Sequence, residues 1–209
     1  MKKYLFIGLV AILATSCEKD PDLNQLDNNF TVYTNYDSKT NFNDFKTYYL
    51  PDSILLVGQG MKAEYWKDEN AQDIIKQVAD EMDARGYTRV NAIKEANIGI
   101  QLSFIHQTTQ VIGTGGWYDS WWGPGYWGPY WNDWYYPYPV TYSYNTGTLI
   151  MEMVNLTAHP EDTSQKVKLP VIWHSYATGL LFDNSKYNMQ LTLDAVNQAF
   201  EQSPYIKKS

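Results

Sequence analysis

Only one cysteine, Cys17, occurs in the 209 residues, so no disulfide can form within the chain and packing alone must hold the fold. Its setting narrows matters further. Lys2 and Lys3 precede an apolar run from Tyr4 to Leu13, and Ala14-Thr15-Ser16-Cys17 follows. A basic start, a short apolar core and small residues before a processing point make a secretory signal, which takes no part in the fold. A spanning helix needs about 20 apolar residues; this run ends at Thr15 and Ser16, with Glu18 and Asp20 just beyond. Residues 1–16 are thus read as a signal peptide, and the chain that folds starts at Cys17.

The signal resembles that of bacterial lipoproteins, in which the cysteine becomes the lipidated first residue of the mature protein. Ala14 departs from the pattern, standing where leucine is usual. The resemblance implies a diacylglyceryl thioether on Cys17 and an amine that can be acylated. A lone cysteine is more often a small core hydrophobe, but Glu18-Lys19-Asp20-Pro21-Asp22 is a poor setting for a core residue. Losing Lys2 and Lys3 with the signal takes the formal net charge from −7 to −9. That balance supplies no basic footprint for nucleic acid and no electrostatic adhesion to anionic lipid. The membrane is therefore expected as a partner through covalent lipid, each buried CH₂ contributing about 0.8 kcal/mol.

Residues 17–29 are acidic and polar and read as a flexible tether. From Phe30 the composition turns β-branched and aromatic, with strand candidates at Thr31–Tyr36, Phe45–Leu50 and Ile54–Val57. Ala71, Ile74, Ile75, Val78, Ala79 and Met82 make one helical stripe over about 70–85. Asn70 and Asp73 form a candidate capping pair, and Gly86 with Tyr87 suits a Schellman end in which Tyr87 reaches Met82. The period then changes to two. Ile98, Ile100, Leu102 and Phe104 alternate with small or polar residues, predicting a strand with one face in the core. Leu149, Met151 and Met153 mark another strand, where Ile150 and Val154 suggest cover on the second face too. A third is expected over 168–181, with Pro170 at its beginning, and a last helix over about 188–202 buries Met189, Leu193, Val196, Ala199 and Phe200. The fold class is α+β: an antiparallel sheet with two helices packed on one face, plus a long aromatic-rich loop insert. Residues 30–205 make one domain, with the insert at 113–140.

That insert is the second unusual feature. Of the residues from Trp117 to Pro139, six are Trp and six are Tyr, and Gly-Pro pairs break any period. Loops longer than about 12–15 residues are usually functional or disordered. As a protein-contact loop it would present Trp117, Trp121, Trp122, Tyr126, Trp127, Tyr130, Trp131, Trp134 and Tyr135, residue types that dominate interface hot spots. As a glycan-binding surface it would need coplanar exposed rings beside polar groups such as Asp119, Asn132 and Asp133. Insertion among lipid headgroups is a third reading. Against all three stands a segment that packs on the domain, or a hairpin whose strand over 134–144 pairs with its neighbours.

Catalytic chemistry finds little support. His106, His159 and His174 are far apart in sequence, and no zinc-binding, P-loop or dinucleotide motif occurs. Ser175 follows His174, but neighbours on a strand point to opposite faces. The expectation is a non-enzymatic protein with no catalytic residues, metal ligands or cofactor.

Five pieces in order complete the reading: Asp44-Phe45-Lys46-Thr47-Tyr48, Met82-Asp83-Ala84-Arg85-Gly86-Tyr87, Ala96-Asn97-Ile98-Gly99-Ile100, Tyr144-Asn145-Thr146-Gly147-Thr148-Leu149 and Val171-Ile172-Trp173-His174-Ser175-Tyr176-Ala177. Together they resemble the DUF4136 family of bacterial envelope lipoproteins, over roughly 30–205. Asn97 stands where that family commonly has aspartate, and Ser175 where it commonly has glycine. The resemblance implies a lipid-anchored envelope protein of unknown specific role and supplies no catalytic residues. Glu18-Lys19-Asp20 looks loosely like the acidic export signal of Bacteroides-like lipoproteins, which favours the outer membrane over the inner. An envelope protein, or alternatively a glycan, is the expected partner of the insert.

Overall fold

The computed structural model describes residues 30–57, 64–106, 126–140, 147–159, 165–180 and 186–208. The signal, Cys17, the tether, and Trp117, Trp121 and Trp122 of the insert lie outside them. Nine strands and two helices follow in chain order: β1 (Thr31–Tyr36), β2 (Thr47–Tyr49), β3 (Ile54–Val57), β4 (Glu64–Trp66), α1 (Glu69–Ala84), β5 (Thr88–Arg89), β6 (Ile98–Ile105), β7 (Trp131–Tyr135), β8 (Thr148–Asn155), β9 (Val167–Thr178) and α2 (Lys186–Glu201).

The long ladder β1–β9–β8–β6 is antiparallel throughout, as the alternation predicts. The short strands around it add parallel pairs. β2 and β3 both lie along β6, opposite Ile98–Gly99 and Ser103–Ile105 respectively. They act as one interrupted strand, with Pro51 in the break because proline cannot donate to a ladder. β7 runs parallel to Val167–Pro170 of β9. Pro170 is thus not the beginning of β9 but its fourth residue. It sits where β9 changes neighbours, ahead of the long ladders that start at Val171 and Trp173. Between β8 and β9 a register shift leaves Ile172 without an opposite number. Such a bulge lets successive residues face the same way, and Ile172 and Trp173 both enter the helix-side core.

α1 buries the whole expected stripe, Ala71 through Met82. Its N-cap, however, is Asp68 rather than Asn70: the Asp68 carboxylate accepts the Ala71 N–H at 3.1 Å. A charged cap there also meets the positive helix end favourably. The C-terminus forms the expected Schellman pair, Tyr87 N–H to Met82 O at 3.2 Å and Gly86 N–H to Asp83 O at 3.0 Å. α2 buries Ala195, Val196, Ala199 and Phe200, while Met189 and Leu193 are half-buried. Trp173 is fully buried beneath α2, its ring 5.6 Å from Phe200 and its indole N–H donating to Ser203 Oγ at 2.9 Å.

The sheet has a second covered face. No residue of β6 is exposed, so Gly99, Gln101 and Ser103 are buried as well as the apolar set. This corrects the expectation of one buried face, and the cover comes from the aromatic segment. Leu55, Ile105, Ile150, Val154, Leu169 and Val171 pack there against Trp127, Trp131 and Trp134.

The register also gives the sheet two distinct ends. Thr31, Thr178, Thr148, Ile105 and Val57 form one continuous row across five strands. Phe30 leads into this row at Thr31, so this end of the sheet is the one nearest in sequence to the segment expected to be a tether. At the other end Ile98 pairs with Asn155, and the turns at Ile93–Glu95 and Leu156–His159 lie just beyond.

Candidate functional site: an aromatic-walled cleft

Trp127 and Trp131 are each 2% exposed and Trp134 is 7% exposed, whereas Tyr126 and Tyr135 are 38% and 43% exposed. Tyr130 is half-buried. Within 126–135 the aromatic residues are therefore sorted by type, the three indoles inward and the phenols of Tyr126 and Tyr135 outward. Trp131 and Trp134, three apart, would face opposite ways in a regular strand. A register shift between Trp131 and Asp133 turns both inward. The Trp127 ring packs closely on β6 at Gly99, where the missing side chain leaves room for it. A Cβ at Gly99 would sit 2.3 Å from the Trp127 ring and 2.8 Å from Val154.

Around this buried layer the exposed rings form one wall of a cleft of about 590 Å³. Tyr130 stacks on His159, with centroids 4.6 Å apart and planes 18° apart. Tyr126 meets Trp127 edge-on at 5.2 Å. Burial, and after it a hydrogen bond to Tyr49, pushes the Tyr126 pKa up, so its phenol stays neutral. The turn carrying Lys94, Glu95 and Asn97 also lines the cleft, together with Thr157. Asn97 is a structural clasp: its Oδ1 accepts the N–H groups of Lys46 at 2.8 Å and Thr47 at 3.2 Å. An aspartate would accept the same two bonds, so the departure noted above costs no contact.

The polar groups expected to serve the rings are elsewhere. Asp119 is outside the described residues, and Asn132 and Asp133 do not line the cleft. Asp133 is instead 2.7 Å from Lys168, whose hydrogen bond holds its carboxyl below the usual range. Sequence reasoning missed Lys94, Glu95, Thr157 and His159 because nothing about their spacing links them to residues 126–131.

A second polar group lies beneath Tyr136 and Tyr138, which follow β7. Glu152 and His174 are opposite one another on β8 and β9, and each is 1% exposed. Glu152 accepts from Tyr136 OH and from Gln101 Nε2, the latter at 2.6 Å. Tyr138 OH lies 3.1 Å from His174 Nδ1 and the two rings stack at 8°. The bonds pin residues 136–138 across the sheet. Neither side chain lines the cleft. Burial pushes the His174 pKa down to about 3 from 6.5, so it is neutral at pH 7. Ser175 alternates to the helix side, opposite Met151, and cannot pair with His174. Among the described residues no group of three His, Cys, Asp or Glu side chains could hold a metal ion.

The depressed His174 pKa has a definite sign in stability. The unfolded chain takes up the proton near pH 6.5 and the folded one only near pH 3. Stability is thus full above about pH 6.5 and falls by about 1.4 kcal/mol per pH unit below it, until about pH 3. Urea melts of the wild type and His174→Gln between pH 7 and 4 check this. The difference between their slopes should equal about one proton; parallel slopes would show that His174 charges freely in the fold.

These features define an α+β domain with helices on one face, an aromatic cover on the other, and a ligand-sized cleft beside that cover. The chain belongs to the DUF4136 family, a domain of unknown function, whose model matches residues 32–205. A DUF4136 family protein from Bacteroides thetaiotaomicron VPI-5482, known from a crystal structure, is 44% identical with a TM-score of 0.77, covering 87% of this chain and 99% of that one. A PDZ domain protein from Parabacteroides distasonis ATCC 8503 is 14% identical, covering 86% of this chain and 37% of that one. Its TM-score of 0.35 supports no argument. No curated protein matches the chain.

Proposed function

We propose that this chain is a lipid-anchored, non-enzymatic protein of the cell envelope, more specifically of the outer membrane, whose domain binds an envelope component in the aromatic-walled cleft. The observation that carries the reading is the cleft itself, lined by exposed Tyr126, the stacked Tyr130–His159 pair, Lys94 and Glu95. The anchor rests on the signal and Cys17. No helix among the described residues is long and apolar enough to cross a membrane. A protein contact through the whole insert is the second reading: Trp127, Trp131 and Trp134 are buried on the sheet, while Trp117, Trp121 and Trp122 lie outside the described residues.

Two experiments test the two halves. Cys17→Ser should shift the protein to the soluble fraction and abolish the mass added at the mature N-terminus; retention with unchanged mass overturns the anchor. A photoreactive residue at Tyr126 in the full chain, irradiated in intact cells, should capture a macromolecular adduct. The same residue at Asp73, exposed on α1 on the other side of the sheet, should not. Equal capture at both positions, or none at Tyr126, overturns the cleft.

A further inference from the structure

Resting on the cleft as the binding site, we infer that its occupant is a carbohydrate with neutral sugar rings, stacked on Tyr126 and on the Tyr130–His159 pair. Size is the first argument. A cleft of about 590 Å³ lies in the usual range of about 300–1,000 Å³ for small-ligand sites. It suits a few sugar units better than a folded partner.

Chemistry is the second. A sugar ring offers an apolar C–H face and a rim of hydroxyls that both donate and accept. The cleft is lined by flat rings together with Lys94, Glu95, Asn97 and Thr157, side chains that carry an ammonium donor, a carboxylate acceptor, an amide and a hydroxyl. One cation balanced by one anion does not select for a phosphate or a polyanion, which would draw a basic cluster. Among the described lining residues Glu95 is the one carboxylate. Glycoside hydrolysis ordinarily needs two flanking the bond, so the arrangement holds a glycan rather than cutting it.

Rigidity is the third. His159 already stacks on Tyr130, and Tyr126 is braced edge-on against Trp127, which Tyr49 meets edge-on from another side at 6.4 Å. Rings fixed before binding lose little entropy when a ligand arrives. Position is the fourth. The cleft sits at the end of β6 opposite the row containing Thr31, about 25 Å away for an eight-residue strand. The sugar is therefore met away from the root of the expected tether, which disfavours the headgroups of the anchoring membrane.

The test titrates the full-length protein in detergent with neutral oligosaccharides of the cello, malto, xylo, manno and chito series, read by calorimetry. At least one series should bind at millimolar or lower concentration. Tyr126→Ala and Tyr130→Ala should weaken it about tenfold or more, the loss expected for one ring contact. Asp73→Ala, exposed on α1 across the sheet from the cleft, should bind normally. No binding by any series overturns the inference, and so does binding that survives both alanine variants. If either alanine variant fails to fold, His159→Ala must weaken the same sugar, and unchanged affinity there counts against the platform. A peptide adduct at Tyr126 with no sugar bound overturns the glycan while leaving the cleft standing. No adduct and no sugar overturns both.

Discussion

Replacing Trp127 by alanine should cost the domain about 3–5 kcal/mol, the range for removing a buried tryptophan whose site cannot collapse. The ring is 2% exposed and lies against Gly99 and Val154, at the centre of the core on the sheet face away from the helices. The same contact can be broken from the other side. Gly99→Val would place its Cβ 2.3 Å from the Trp127 ring, so the ring must leave β6 and the cover must shift with it. Urea melts measure both losses. The double variant separates a specific contact from general damage, because removing the ring removes the clash. Gly99→Val should therefore cost clearly less in a Trp127→Ala background than in the wild type. Additive losses would show that Gly99 and Trp127 are independent. Oligosaccharide binding should fail with either single variant, since Tyr126 and Tyr130 flank the displaced ring.

Gly147→Ala should be among the most damaging single changes, on the order of 3 kcal/mol or more. Gly147 joins the row at the Thr31 end of the sheet, its N–H donating to Ile105 O at 2.7 Å and its carbonyl accepting from Leu180 N at 2.9 Å. Its φ is +76°, and a Cβ would lie 1.6 Å from the carbonyl oxygen of Leu180. That neighbour is backbone and cannot swing aside. Gly86 supplies the control. Its φ of +88° imposes the same conformational penalty, but the nearest atom to a Cβ there is Lys208 Cβ at 3.4 Å. Gly86→Ala should therefore lose only about 1 kcal/mol. Equal losses at the two sites would mean that the close approach at Gly147 does not exist.

The helix side of the fold was legible because its signals are local. The 3.6-residue stripe of α1, the Gly86–Tyr87 end and the period-two strands each declare themselves within one stretch of chain. The capping residue was misplaced because Asp68 and Asn70 are both good caps and only the start of the helix distinguishes them. The second face was not legible. Gly99, Gln101 and Ser103 read as solvent-facing because their cover comes from residues 126–140, which carry no period of their own. Trp131 and Trp134 share a face only through a bulge, and β7 pairs in parallel with a strand some thirty residues later. Gly99 held the one available clue, since glycine inside a strand often marks a close approach. The cleft was harder still. Tyr126 and Tyr130 were named from sequence, but the turn before β6 also lines the cleft and their neighbour His159 follows β8. Such a cleft exists only once the sheet has brought the three segments together.

The aromatic segment over 126–140 belongs to the domain, covering the sheet with Trp127, Trp131 and Trp134 and leaving Tyr126 and Tyr130 to line the cleft. Fluorine NMR of the full-length protein labelled with 5-fluorotryptophan tests it most directly, with resonances assigned by single Trp→Phe variants and challenged with a soluble paramagnetic agent. The account predicts that Trp127, Trp131 and Trp134 are shielded well beyond a free tryptophan, with Trp173, fully buried beneath α2, as the reference for complete shielding. Broadening of those three at the rate of a free tryptophan would contradict it.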